Sequence, residues 1–518
     1  KAEAMLRISL QTETLTTLNP NDPLWLFKPQ AQAGRSDYEN GWGLPMIFSP
    51  NGDPAPGIVT THDEFAISWD AKQAKAKVKA LLATANEAEA REIFQLCTQE
   101  QWNYSDAKTA LAGGDWKEKI VPVLYRPFDI RTTIYDNHVA VHRRDRVMGH
   151  LLGGKNLAVT VGKAGQVIDN NPWTIVAATR QITDFNFYRR GGNCPFPLWL
   201  SKEEGKVANL SPSFLSTFQS ALNLTAADYR PEDSNAPLHA EKIFHYLYAV
   251  LHSPAYRQRY AVFLRTDFPR IPIPGSRKVF DALAKQGAEL VAWHLLEHID
   301  AINIVADGAS STRATAWFGN DFSLVKVAEK SRELADVQGT YDKVGKVFIN
   351  ATSGFANVHQ SVWQHTIGGY QVLHKWLDDR RKAGRSLSQE DITHWLRVYA
   401  SLEATQKLIL QVDEVIEANG GWPGAFSQNH PPPDAATLAA EQMTQKEQLK
   451  AQKKAATAAK KKTVHASPTG ATSLFDDLED LASAAGGPDR PKSRATHAKA
   501  VGGKASVAAV KADVPNDS

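Results

Sequence analysis

Apolar and polar positions are most clearly ordered between residues 121 and 200. An apolar run, Val121-Pro-Val-Leu-Tyr125, is broken by Arg126-Pro127, and the alternation around Ile130, Thr132 and Ile134 then predicts a strand. Val147–Leu152 has helical spacing. Asn156–Val161 is an apolar strand that runs into a glycine-flexed loop carrying Lys163, Gly165 and Gln166, where backbone can approach a ligand closely. Trp173–Ala178 and Phe185–Tyr188 are expected to be further strands. They lead to Arg189-Arg190-Gly191-Gly192, a tip suited either to entering a groove or to a plain solvated hairpin.

The flanking segments have other periods. Trp42–Phe48 predicts a short strand before the Asn51-Gly52 turn, and Gly57–Asp63 predicts another. Residues 70–112 place Leu81, Leu82, Ile93, Phe94 and Leu96 at helical spacing, giving two or three short helices. Beyond Pro212 the pattern turns helical, over 240–252, 254–265 and Arg277–His298. Asp267–Pro274 is too proline-rich for a central strand. Val344–Asn350 is a strand and 369–382 a helix. Ser388 and Asp391 form a capping box for a helix that reaches about Ala418. Residues 431–518 lack apolar periodicity and have the composition of a disordered tail, interrupted by an acidic amphipathic island at Ser473–Leu481. The expected fold class is α+β, strand-rich to about 205 and helical afterwards.

Length leaves room for two to three domains. Charge matters through its placement: the whole chain nets +3, but residues 121–190 hold ten Lys/Arg against five Asp/Glu. Arginines interleaved with Tyr125, Phe128, Tyr135 and Tyr188 suit a polyanion with flat bases. The same arginines also suit a sheet surface on which they pair with Asp129, Asp136 and Asp145. Cys97 and Cys194 are far apart, which argues against a disulfide framework and for a reducing cytoplasm. No apolar run approaches membrane-spanning length. The chain opens on Lys1, so an upstream segment is expected.

Catalytic motifs fail one by one. Asn170-Asn171-Pro172-Trp173 lacks the second proline of an amino-methyltransferase loop and reads as a turn. No GxxxxGK[ST] phosphate loop, glycine-rich S-adenosylmethionine turn or nuclease carboxylate set is present. His294-Leu-Leu-Glu-His298 matches the H-x-x-E-H zinc pattern formally, but His294 falls on an apolar stripe and a packed helix end is expected. His62-Asp63 reads as a strand-end turn rather than an acid–base pair.

Several blocks in register resemble one family: Tyr125–Asp129, Arg143–Leu152, Asn156–Gln166, Asp184–Leu200, Ile243–Pro274 and Ile367–Arg380. They are similar to the C-terminal specificity region of Type ISP restriction–modification enzymes and related adenine-N6 DNA methyltransferases, over roughly residues 40–415. The resemblance implies a mixed-sheet target-recognition domain at 119–425. Before it, residues 1–118 would connect to an upstream methyltransferase core of the same polypeptide, and 426–518 would form the tail. The implied partner is double-stranded DNA. The chain itself would need no cofactor, S-adenosylmethionine and possibly ATP with Mg belonging to the upstream domains. DNA contacts are expected from Arg126, Arg131, Arg143, Arg144, Arg146, Lys163, Gln166, Arg189 and Arg190. Arg143, Arg144 and Arg146 would follow phosphates, whereas Lys163 and Gln166 would read bases. Lys163 stands where arginine is expected, which leaves a bidentate base contact there without support. The rival reading is a protein-docking scaffold whose arginines pair internally; a single exposed basic face within 126–190 would favour DNA.

Overall fold

The computed structural model describes residues 34–48, 54–98, 102–162, 172–189, 191–202, 205–298, 314–317, 344–350 and 353–434, with single positions to Glu447. The alternation at 121–134 becomes an antiparallel hairpin of Ile120–Arg126 and Asp129–Ile134, with Val121 opposite Thr133 and Val123 opposite Arg131. Phe128 makes the tight turn with a left-handed φ of 59°. Ile67–Ser68 adds antiparallel to the outer side of the hairpin and Ile182–Thr183 adds parallel to the other, completing four strands. A separate antiparallel sheet sets Ala158–Gly162 between Val176–Thr179 and Asn193–Pro197. All five residues of Ala158–Gly162 are buried, as its unbroken apolar character requires.

Three short helices cover the first sheet, and each has the cap its sequence supplies. Asp70 opens Ala71–Ala83 by accepting from Gln73 N. Asn86 opens Glu87–Phe94 through Glu89 N, and Asn103 opens Tyr104–Ala112 through Ser105 and Asp106 N. Such caps contribute about 1 kcal/mol each. The C-terminal half is built on Ala240–His252, Arg277–His294 and the 29-residue Gln389–Glu417, which starts with the expected Ser388–Asp391 capping box. The first two approach so closely that a Cβ at Gly287 would lie 1.8 Å from the His245 carbonyl oxygen. Any larger residue there would push the helices apart.

Several elements differ from expectation. In 42–48 only Trp42–Gly43 is strand, paired with Arg270–Ile271, and Pro45 then starts the helical turn Leu44–Ile47. Gly57–Asp63 reduces to single bridges at Ile58 and Val59. Phe185–Tyr188 is a turn, because its aromatic residues pack inward around a reversal of the chain. The segment 254–265 splits into Pro254–Arg259 and a 3-10 turn at Phe263–Arg265.

The chain makes no break at 118/119: Ile67–Ser68 belongs to the sheet of 120–134, and Trp42 pairs across to Ile271. Order also continues past 425. Phe426 is buried, Ser427 N donates to Ile273 O at 2.9 Å, and Trp42 Nε1 donates to His430 O at 3.4 Å. The rest of the expected disordered tail, apart from single positions to Glu447, lies outside the described residues, as does its acidic island at 473–481.

Candidate nucleic-acid interface

The nine residues expected to touch DNA fall into three groups. Arg126 and Arg131 are internal. Arg126 is 8% exposed, donates through Nη1 to Asp184 Oδ1 at 2.7 Å and lies 3.7 Å from the centre of the Tyr125 ring. Asp184 is completely buried, and burial pushes its carboxyl up to about 6 despite the guanidinium beside it. Arg131 reaches Asp129 at 2.9 Å and Asp379 at 3.4 Å, over the ring of Trp69. Arg380 takes the other Asp129 oxygen at 3.2 Å. Burial raises the Asp129 carboxyl, but Arg131 and Arg380 together overcome it and hold it below the usual range. The Arg131–Asp379 and Arg380–Asp129 pairs tie the hairpin 120–134 to the helix Val372–Lys382, and both Arg126 and Arg131 are engaged by carboxylates of the fold.

The second group, Arg143, Arg144 and Arg146, lies at the start of a short helix. Arg143 is half-buried, paired with Asp145 at 2.7 Å and set 5.4 Å from the Tyr135 ring centre. Arg144 takes a left-handed φ of 58° and precedes the four-residue helix Asp145–Met148. A non-glycine residue held there stores on the order of 1–3 kcal/mol of strain. Arg146 is exposed. Asn156 fixes this stretch against the hairpin Trp199–Lys202 and Gly205–Ala208: its Nδ2 donates to His150 O at 2.8 Å and Trp199 O at 2.7 Å. Ser201 N donates to His150 Nδ1 at 3.1 Å. Lys155 and Lys202, both exposed, are the sequence neighbours of these contacts. Among the described residues, Arg144, Lys155 and Lys202 have no ion-pair partner. Sequence reasoning missed Lys155 and Lys202. Lys155 had a signal, since it follows Gly153-Gly154, whose φ values of 82° and 68° mark an exposed turn. Lys202 had none before its strand was placed.

The third group is the tip. Arg189 is exposed on the turn after Phe185–Tyr188, with its backbone N–H donating to Gly368 O at 2.8 Å. Lys163, Gln166 and Arg190 lie outside the described residues.

Other candidates reduce to structure. The helix ends at His294, so His294 and His298 do not share a helical face. His294 bonds Tyr248 Oη at 2.5 Å and Thr405 Oγ1 at 2.8 Å, whereas His298 faces Glu289. His62 turns away from Asp63 towards the Val139 carbonyl, 2.7 Å away, and Cys97. Among the described residues no group of His, Cys, Asp and Glu can hold a metal, and no helix is long and apolar enough to cross a membrane. An apolar cleft between Phe128, Ile130, Phe187, Leu296 and His394 has no carboxylate in its lining to meet ribose hydroxyls. It does not fit S-adenosylmethionine.

A family model described as the Type ISP C-terminal specificity domain matches residues 53–411, and the chain belongs to that family. Two solved structures share its α+β fold. A nuclease-deletion mutant of the Type ISP restriction–modification enzyme LlaGI, in complex with a DNA substrate mimic, is 18% identical with a TM-score of 0.50. That match covers 76% of this chain and 30% of the LlaGI chain. A DrdV–DNA complex is 20% identical with a TM-score of 0.53, over 79% of this chain and 41% of its own. The chain thus spans less than half the length of either protein. No curated protein matches it.

Proposed function

We propose that this chain recognises DNA targets for a restriction–modification enzyme. It would hold duplex DNA so that a methyltransferase domain, expected upstream in the same polypeptide, modifies one adenine at N6. S-adenosylmethionine, and ATP with Mg if a motor is present, would act in that upstream part, and the whole enzyme would serve phage defence in the cytoplasm. The observation that carries the reading is the family match across 53–411. Half-buried Arg144 and exposed Lys155, Lys202 and Arg189 are the cations this reading would use.

The protein-docking scaffold has one observation in its favour, the internal pairing of Arg126, Arg131 and Arg143. Salt dependence separates the two readings. Three phosphate contacts release counterions with a logarithmic slope of about −2.7, so raising salt from about 50 to about 200 mM should weaken duplex binding about 40-fold. Fluorescence anisotropy on a labelled duplex measures this, and a change below about fivefold contradicts the DNA reading. The chain alone should transfer no label from S-adenosylmethionine to DNA; transfer above background would place catalysis within it.

A further inference from the structure

We infer that the turn Ile367-Gly368-Gly369-Tyr370 is a positioning element that sets sequence discrimination by fixing where Arg189 points; this rests on the DNA-recognition reading above. The turn joins the short strands Thr366–Ile367 and Tyr370–Gln371, far in sequence from the tip it serves. Its Gly368 peptide units link two segments. Gly368 N–H donates to the Thr174 carbonyl and to Thr174 Oγ1, both at 3.3 Å, while Gly368 C=O accepts from Arg189 N at 2.8 Å. One glycine therefore ties the residue that enters the strand pair of the second sheet to the residue that carries the exposed cation.

The contact leaves no slack. Gly368 has a φ of +57°, and a Cβ there would stand 2.1 Å from Tyr188 Cδ1. Tyr188 cannot yield: it is fully buried, its hydroxyl donates to Thr160 O at 2.8 Å, and Phe187 packs on its ring at 4.7 Å. The far end of the tip is equally tight, since a Cβ at Gly191 would meet Phe185 Cε1 at 2.2 Å. Below the turn, Tyr370 lies beside Arg126, which holds Asp184, and Asp184 Oδ1 accepts from Asn186 N at 2.8 Å to begin the same reversal. The tip is clamped from both sides. A side chain at 368 must move the turn away from Tyr188 and release the Arg189 amide.

Selection from a duplex library with a randomised core, read by sequencing the bound fraction, tests this on the full chain. The wild type should enrich a motif. Arg189→Ala should flatten one or two positions of it. Gly368→Ala should flatten the same positions, lose no more affinity for a fixed scrambled duplex than Arg189→Ala does, and add nothing when combined with it. A purely structural role would give additive losses across the whole motif. If Gly368→Ala does not fold, Thr174→Val decides: it removes one of the two acceptors for Gly368 N–H and should blunt the same positions, with Thr174→Ser restoring them. An unchanged motif in the folded Gly368→Ala chain, or in Thr174→Val, overturns the inference. A wild-type chain that enriches no motif overturns the DNA reading itself.

Discussion

Arg126 and Asp184 are 58 residues apart in sequence, and their side chains meet at 2.7 Å in the interior. The pair joins the central hairpin to the reversal that carries Arg189. Removing one partner leaves a charge buried and unpaired, so Arg126→Ala should destabilise the fold by about 3–5 kcal/mol in urea unfolding. The double variant with Asp184→Ala should cost less than the sum of the two single changes. Additive losses would show that the pair is not coupled.

Arg144, Lys155 and Lys202 should act through charge alone. Arg144→Ala, Lys155→Ala and Lys202→Ala are each expected to weaken binding alike on every duplex and to flatten the salt slope by about one. Unfolding midpoints should stay within error for the two lysines, which are exposed. A base preference altered by Lys155→Ala would move that residue from positioning to reading.

Acid should unfold the chain early. Burial lowers His245 and His365 to about 4 and His294 to about 3, and His62, His252 and His394 shift the same way. Below about pH 6.5 the unfolded chain takes up protons that the folded chain refuses, so stability falls with pH. Asp184 opposes this: its folded pKa of about 6 lies above the unfolded value of 3.8, so acidification through that window favours the folded state. The six lowered histidines outnumber the single opposing carboxyl, so the net effect of acidification is a loss of stability. His294→Gln should flatten the decline between pH 6.5 and 4 and Asp184→Asn should steepen it, in melting curves taken at successive pH values.

The C-terminal limit of the fold is equally testable. Truncation after Gly424 removes Phe426, which is 4% exposed, and should cost about 3–5 kcal/mol. Truncation after Asp434 keeps Phe426, Ser427 and His430 and should leave the melting temperature unchanged. Equal stability of both variants would show that the contacts of 426–430 contribute nothing.

Local order was legible in the sequence, and long-range pairing was not. The strand around Ile130, Thr132 and Ile134, the capping box of Ser388 and Asp391, and the amphipathic helices follow from spacing within a few residues. Arg131 reads locally as a surface cation, yet it is committed to Asp379, 248 residues away. Phe185–Tyr188 carries the residues of a strand, and it turns because Gly368 supplies the hydrogen-bond partner and the space beside Tyr188. Of the expected contacts, Arg126 and Arg131 are placed inside by partners that no spacing rule connects to them. Lys155 and Lys202 adjoin contacts in which Asn156 and His150 bring two distant segments side by side.

Hydrogen–deuterium exchange of the chain, with and without a saturating duplex at low salt, tests the proposed face most directly. Slower exchange is expected at residues 143–155, at 199–206 and around Arg189, with little change along Ala71–Ala112. Protection confined to other segments, or none at all with bound duplex present, would contradict the assignment of this face to DNA.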